Sequence, residues 1–201
     1  MESSSVIIRN YVRESDLQGC AALLRELTAW HREMYHKPPI RWGPLDSDYD
    51  RDLDTVDPSL LWVAVHESKV IGMVGLLLKG KREGEISERI VEAEVEPIIV
   101  SREFRGKRIG ERLLEKAIAE ARARGARLVA VKPVARNIKT IQFFYKHGFT
   151  YVGDVELFMA LSERSRKPGP RMFGCDFNML PCVRTTRPHT DMKSPPHDIW
   201  K

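Results

Sequence analysis

Apolar and polar positions divide the chain into alternating strand-like and helix-like stretches. Val6–Val12 reads as a first strand, and Asp16 suits an N-cap before an amphipathic helix with Leu23, Leu24, Leu27 and Trp30 on one face. Residues 32–58 are polar and hold Pro38, Pro39, Gly43, Pro44 and Pro58, which predicts mostly loop with at most a short helix. Leu61–His66 and Val70–Leu78 are strand-like runs separated by Glu67-Ser68-Lys69, the pattern of an antiparallel hairpin. A charged connection, Lys79–Glu88, leads to a long strand, Ile90–Val100.

The clearest helix follows, with Ile109, Leu113, Leu114, Ala117, Ile118 and Ala121 at helical spacing. Glu111 and Glu115 sit early, Arg122 and Arg124 late, and Gly125 just beyond, which is the order that a helix dipole and a C-cap favour. Leu128–Val131 reads as a short buried strand, and Thr140–Lys146 as a short helix ended by Gly148. Thr150–Val155 and a segment around Phe173–Phe177 are expected to complete the sheet. No internal repeat is visible.

Composition narrows the function classes. At 201 residues with 42% hydrophobic and 30% charged positions, one globular domain is expected, over residues 1–180. Residues 181–201 are polar and proline-rich and are expected to form a disordered basic tail. The net charge of +5 lies mostly beyond residue 161, where 8 Lys/Arg face 4 Asp/Glu, so the body is close to neutral. That argues against a nucleic-acid-binding domain, which needs clustered phosphate-neutralising charge. The longest apolar run, Ile71–Leu78, is too short to span a bilayer, and no signal-peptide pattern opens the chain. Three irregularly spaced cysteines, Cys20, Cys175 and Cys182, imply no disulfide framework and fit a reducing cytoplasm.

Two motifs carry chemistry. Arg105-Gly106-Lys107-Arg108-Ile109-Gly110 joins a strand to the clearest helix. A helix N-terminus leaves N–H groups unpaired and carries partial positive charge, so the junction can hold an anion; the alternative is a solvated basic turn. It has neither G-x-G-x-x-G nor the Gly-Lys-Ser/Thr ending, which sets aside dinucleotide binding and nucleotide hydrolysis. Glu92, Glu94 and Glu96 alternate with Ala93 and Val95 and so project from one strand face. Clustered carboxylates raise one another's pKa, which helps one of them act as a base near neutrality. A solvent-facing, salt-bridged strand is the competing reading.

Taken in order, these features resemble the GNAT superfamily of acyl-CoA-dependent N-acyltransferases. The family pattern is a strand, Arg/Gln-x-x-Gly-x-Gly/Ala opening a helix, then a strand, an Asn, and a short helix ending in Gly-Phe. Here it reads Ile98-Ile99-Val100, Arg105 to Gly110, Leu128–Val131, Asn137, and Phe143 to Phe149. The resemblance covers residues 6–177. It implies an α/β (α+β) fold: one domain with a central mixed, mostly antiparallel, twisted sheet of about six or seven strands, flanked by helices on both faces.

The same resemblance implies acetyl transfer from acetyl-CoA to a primary amine, with no metal. The pantetheine arm would run along Ile98, Ile99 and Val100. The pyrophosphate would sit on the loop from Arg105 through Gly106, Lys107, Arg108 and Ile109 to Gly110. Asn137 would hydrogen-bond the pantetheine, and the short helix around Phe144 would flank the cofactor. The glutamate base of some members stands eleven residues before the loop arginine, which is Glu94, with Glu96 next; the other position used in the family is Lys132.

The sequence departs from the family at two places. Arg108 replaces a signature glycine, and Phe144 stands where a catalytic tyrosine is usual. Tyr145, one step on and about 100° around the helix, reads as a packing or rim residue that would act as an acid only in a shifted helix. The acceptor stays open between small molecules and proteins. A homodimer is allowed through a sheet edge near the C-terminal strands. A non-catalytic CoA-binding module on the same fold and a tail-mediated interaction protein are the rival readings.

Other clusters are weaker. Asp46, Asp48, Asp50, Asp52, Asp54 and Asp57 match calcium-loop positions, but Arg51 replaces the turn glycine and Asp57 the bidentate Glu. Cys175, Cys182, His189 and His197 are spaced too widely for structural zinc. His31 and His36 are assigned surface or packing roles at the end of the first helix.

Overall fold

The computed structural model describes residues 5–35, 53, 57–79, 92–153, 155, 168–172 and 174–178. Five strands form one sheet in chain order: β1 (Ile7–Asn10), β2 (Leu61–His66), β3 (Lys69–Lys79), β4 (Glu92–Val100) and β5 (Leu128–Ala130). The first three junctions are antiparallel and β4–β5 is parallel, so the sheet is mixed. The β2–β3 hairpin turns on Glu67 and Ser68, both with positive φ (48° and 65°), as a two-residue turn matched to strand twist requires. Helix α1 (Arg13–Tyr35) covers one face, while α2 (Ile109–Ala123) and α3 (Ile138–Lys146) belong to the other.

The two faces have separate cores. Trp62, Ala64, Val74, Leu76, Ala93 and Val95 meet Ile109, Leu113, Leu114, Ala117 and Ala121 of α2 and Phe144 of α3. Leu61, Val63, Val70, Met73 and Ile99 pack with Cys20, Ala21 and Leu23 of α1. Alternation along the strands explains the division, with a bulge at Ile71 that puts Val70 and Met73 on the same face.

Three expectations are corrected. Among the described residues the central sheet has five strands, not six or seven. The described residues around Thr150–Val155 pair with no strand, and Cys175–Asn178 (β7) pairs instead with Pro168–Met172 (β6) as a separate two-stranded sheet. A proline-containing strand suits an edge or a small ribbon better than a sheet centre. Finally, α1 begins at Arg13 rather than after Asp16. Asp16 lies inside the first turn, where its carboxylate accepts from the Val12 N–H (2.8 Å) and pairs with Arg9. It serves the helix start from within. The calcium-like acidic run apart from Asp57, together with His36, Cys182, His189, His197 and residues 181–201, lies outside the described residues.

Candidate active site

The parallel partners β4 and β5 stay together only briefly. Glu92, Ala93 and Glu94 pair with Leu128, Val129 and Ala130, after which β5 ends and β4 continues to Val100. The fork therefore opens at Glu94. Beyond it, among the described residues, Val95–Val100 pairs with β3 alone, so the sheet presents a strand edge there.

A bulge in β4 sits at the same point. Leu76 pairs with Val95 but Val74 pairs with Ile98, so Gly75 alone faces Glu96 and Pro97. A Cβ on Gly75 would meet the Glu96 carbonyl oxygen at 2.4 Å, so only glycine fits there. The extra residue reverses the alternation. Glu94 lies on the face opposite Ala93 and Val95, yet Ile99 joins the α1-side core while Ile98 and Val100 pack on the α2 side. A glycine interrupting the apolar run Ile71–Leu78 was the available sequence signal for this close approach.

The carboxylates have distinct environments. Glu94 is 2% exposed, and its Oε2 accepts from Lys79 Nζ (2.7 Å) and Lys132 Nζ (2.9 Å), while its Oε1 has no hydrogen-bond partner. Burial alone would raise this carboxyl, but the two ammonium groups outweigh it and hold it below the usual range. Glu96 stays open to solvent but is flanked by protein. Partial desolvation, then the charge of Glu94, push the Glu96 carboxyl up, against the opposing pull of Lys132 and Lys79. Glu92 shares Lys79 at 3.5 Å. The mutual raising expected of clustered carboxylates thus appears at Glu96 and is reversed at Glu94. Lys79, at the far end of β3, was not anticipated as part of the cluster.

The Glu94 clamp has a measurable consequence. Because its folded pKa is depressed, its stabilisation is complete above the unfolded carboxylate pKa, about 4.3, and is lost as pH falls through the folded value. Glu94→Gln is expected to cost about 1.5–3 kcal/mol at pH 7, the scale of hydrogen bonds to charged groups. The lysines are partly exposed, so water compensates them after the change. Chemical denaturation should show the gap between the two proteins closing below about pH 4; a gap independent of pH would contradict the clamp.

At the other end of β4, Ser101–Arg108 turns into α2. Gly106 and Arg108 have positive φ (78° and 58°), and Arg108 holds the N-cap position in the left-handed region. The first helical bond of α2 is Arg112 N–H to Arg108 O (3.1 Å), so the amides of Ile109, Gly110 and Glu111 precede the hydrogen-bonded ladder. Gly110 lies against Val100 and Phe143; a Cβ there would stand 3.7 and 3.8 Å from them. This joins strand edge, loop and α3 at one place, and Phe143 is the contact that the sequence did not single out.

The remaining predicted residues are placed as follows. Asn137 is buried and caps α3, its Oδ1 accepting from Thr140 N–H (3.2 Å). Phe144 belongs to the α2-side core, edge-on to Phe143 and Phe149. Tyr145 is 65% exposed, on the solvent side of α3 with Ile138 and Ile141. His31 is held neutral by burial, its pKa pushed down to about 4. Among the described residues no group of three or more His, Cys, Asp or Glu is placed to hold a metal ion, and no helix is long and apolar enough to cross a membrane.

This arrangement has counterparts. The sequence profile of the Acetyltransferase (GNAT) family matches residues 24–149, from α1 through the fork and loop to the end of α3. The chain belongs to the GNAT acetyltransferase family. Among solved structures, a Trypanosoma brucei acetyltransferase is 20% identical with a TM-score of 0.54, over 78% of this chain and 100% of that one. The glucosamine-6-phosphate N-acetyltransferase of Arabidopsis thaliana is 16% identical (TM-score 0.54; 79% and 99% covered). The aminoglycoside N-acetyltransferase AAC(6')-Iy, solved in complex with CoA, is 15% identical (TM-score 0.58; 80% and 98% covered). At these identities the likeness is one of fold. No curated protein sequence matches the chain. GNAT membership makes this an acetyltransferase fold and leaves the acceptor to the site itself.

Proposed function

We propose that the protein is an acetyl-CoA-dependent N-acetyltransferase acting on a primary amine, with the reaction centre at the β4/β5 fork. The carrying observation is the fork itself. It joins a strand edge with no strand partner among the described residues to the open N-terminus of α2 and sets two carboxylates of opposite character at its base.

The chain's groups fit CoA. The amides of Ile109, Gly110 and Glu111 and the Arg108 guanidinium form a donor set for a pyrophosphate. The backbone of β4 beyond Glu94, apart from Pro97, which has no N–H, and the Val100 carbonyl, which Arg105 holds, offers hydrogen bonds to an extended arm carrying amides, as an added strand would. Phe143, against Gly110, closes the other side. When bound, acetyl-CoA supplies an activated acyl thioester.

Glu96 is the group that takes the proton from the acceptor ammonium. It is reachable from solvent, and its raised carboxyl brings its basicity closer to the task. Glu94, favoured by register in the sequence, is fully buried and ion-paired, so its role is to hold Lys79 and Lys132 and to set the field at Glu96. The thiolate leaving group needs no side-chain acid, since a thiol ionises near pH 8.5. This agrees with Phe144 in the core and Tyr145 facing solvent.

Calorimetric titration with acetyl-CoA is expected to show one saturable site competed by CoA. Absence of binding would overturn the proposal.

A further inference from the structure

The phosphate loop is fastened to α1 through the Arg102 main chain and the Arg105 side chain. Glu26 on α1 accepts from the Arg102 main-chain N–H (2.8 Å) and from the Arg105 guanidinium (3.3 Å) with the same Oε1. Arg105 Nε donates to the Val100 carbonyl (2.9 Å), closing the turn onto the strand that it leaves. The guanidinium carbon lies 4.7 Å from the centre of the Trp30 ring, one helical turn beyond Glu26. The other cations of the loop differ from it. Lys107 Nζ sits over the Phe104 ring at 4.7 Å, and Arg108 has no such contact among the described residues.

We propose that Arg105 is a positioning residue, a latch between α1 and the phosphate loop, and that Arg108 is the cation presented to the cofactor phosphates. The inference rests on the CoA reading of the site. A lone exposed ion pair would hold little. Here a planar guanidinium meets a carboxylate, a carbonyl and an aromatic face together, so its orientation is fixed from three sides. The shared Glu26 oxygen also fixes the backbone at Arg102, so the loop that shapes the α2 N-terminus moves with α1. Lysine, a point charge on a flexible stem, cannot replace this set of contacts.

The test is titration of the full chain with CoA in wild type, Glu26→Gln, Arg105→Gln, Arg105→Lys and the Glu26→Gln/Arg105→Gln double variant. Glu26→Gln and Arg105→Gln are each expected to weaken CoA binding about ten-fold, a typical coupling for contacting residues, and the double variant no more than the worse single one. Arg105→Lys, which keeps the charge, is expected to bind as weakly as Arg105→Gln and to remain folded where the neutral variants lower stability. The sign for Glu26→Gln is decisive. Removing a negative charge beside a phosphate site should tighten CoA binding if only electrostatics mattered, and weaken it if the latch holds the loop.

Amide hydrogen exchange in the ligand-free protein should quicken at 102–108 in both single neutral variants. Wild-type binding in Arg105→Lys, or unchanged or tighter binding in Glu26→Gln, would overturn the latch and make Arg105 a phosphate ligand. Wild-type protein that binds no CoA would instead overturn the cofactor reading and the latch's role in it, while the exchange rates would still report the α1 contact.

Discussion

Glu96→Gln is expected to lower turnover by about 10²–10⁴-fold, the usual contribution of a positioned general base, while acetyl-CoA affinity stays within about two-fold of wild type. The affinity should survive because the carboxylate stands at the base of the fork and the amides proposed to hold the phosphates lie beyond the far end of β4, on the order of 13 Å away along a strand. The pH dependence adds a second check. The base acts when ionised, so kcat/KM should fall as pH drops through the raised Glu96 pKa, at higher pH than an ordinary carboxylate would give.

Glu94→Gln separates the two roles. It removes the charge that raises Glu96, and it leaves the opposing pull of Lys79 and Lys132. The acid limb should therefore move to lower pH, with activity retained on the plateau. A Glu94→Gln protein that is inactive at every pH, beside an active Glu96→Gln protein, would return the base to Glu94.

The second large effect is expected at Gly75. In Gly75→Ala the new methyl meets a main-chain oxygen at 2.4 Å and the Pro97 ring at 3.1 Å, and neither belongs to a flexible side chain that can rotate away. The β4 bulge must shift. We expect a loss of about 3 kcal/mol, at the upper end for overpacking, measured by denaturant unfolding. Turnover at a temperature where the variant is folded should also fall, because the displaced carbonyl is that of Glu96. Gly153→Ala is the control: a Cβ there meets nothing within 4 Å, so its stability should stay within about 0.5 kcal/mol of wild type. A stable, fully active Gly75→Ala protein would show that the bulge is not needed to place Glu96.

What the sequence made legible follows the range of the interactions. Helix α2 was readable because its apolar stripe, acidic start and Gly125 end are all local, and the structure ends the helix one residue before Arg124. The β2–β3 hairpin was readable for the same reason. The split between Glu94 and Glu96 was not, because it depends on Lys79 from the end of β3 and Lys132 from beyond β5, brought together only by sheet pairing. Strand alternation put both glutamates on one face and could say nothing of the bulge that distinguishes their exposure. The C-terminal strands were misplaced because Thr150–Val155 has the composition of a strand, and composition does not name a partner. Arg105 was read as a phosphate-loop cation because its local setting is basic; Glu26 and Trp30, which hold it, stand more than seventy residues away.

The central claim is amine-dependent acyl transfer at the fork, and its most direct test is thiol release from acetyl-CoA across a panel of primary amines. The panel should hold amino acids, polyamines, aminoglycosides, amino sugars, and peptides with free N-termini or lysines. Wild-type protein is predicted to release CoA thiol with at least one amine, one N-acetylated product per thiol, and Glu96→Gln to lose that release while still binding acetyl-CoA. Tight acetyl-CoA binding with no amine-dependent thiol release across the panel would contradict the account and make the protein a CoA-binding module on an acetyltransferase fold.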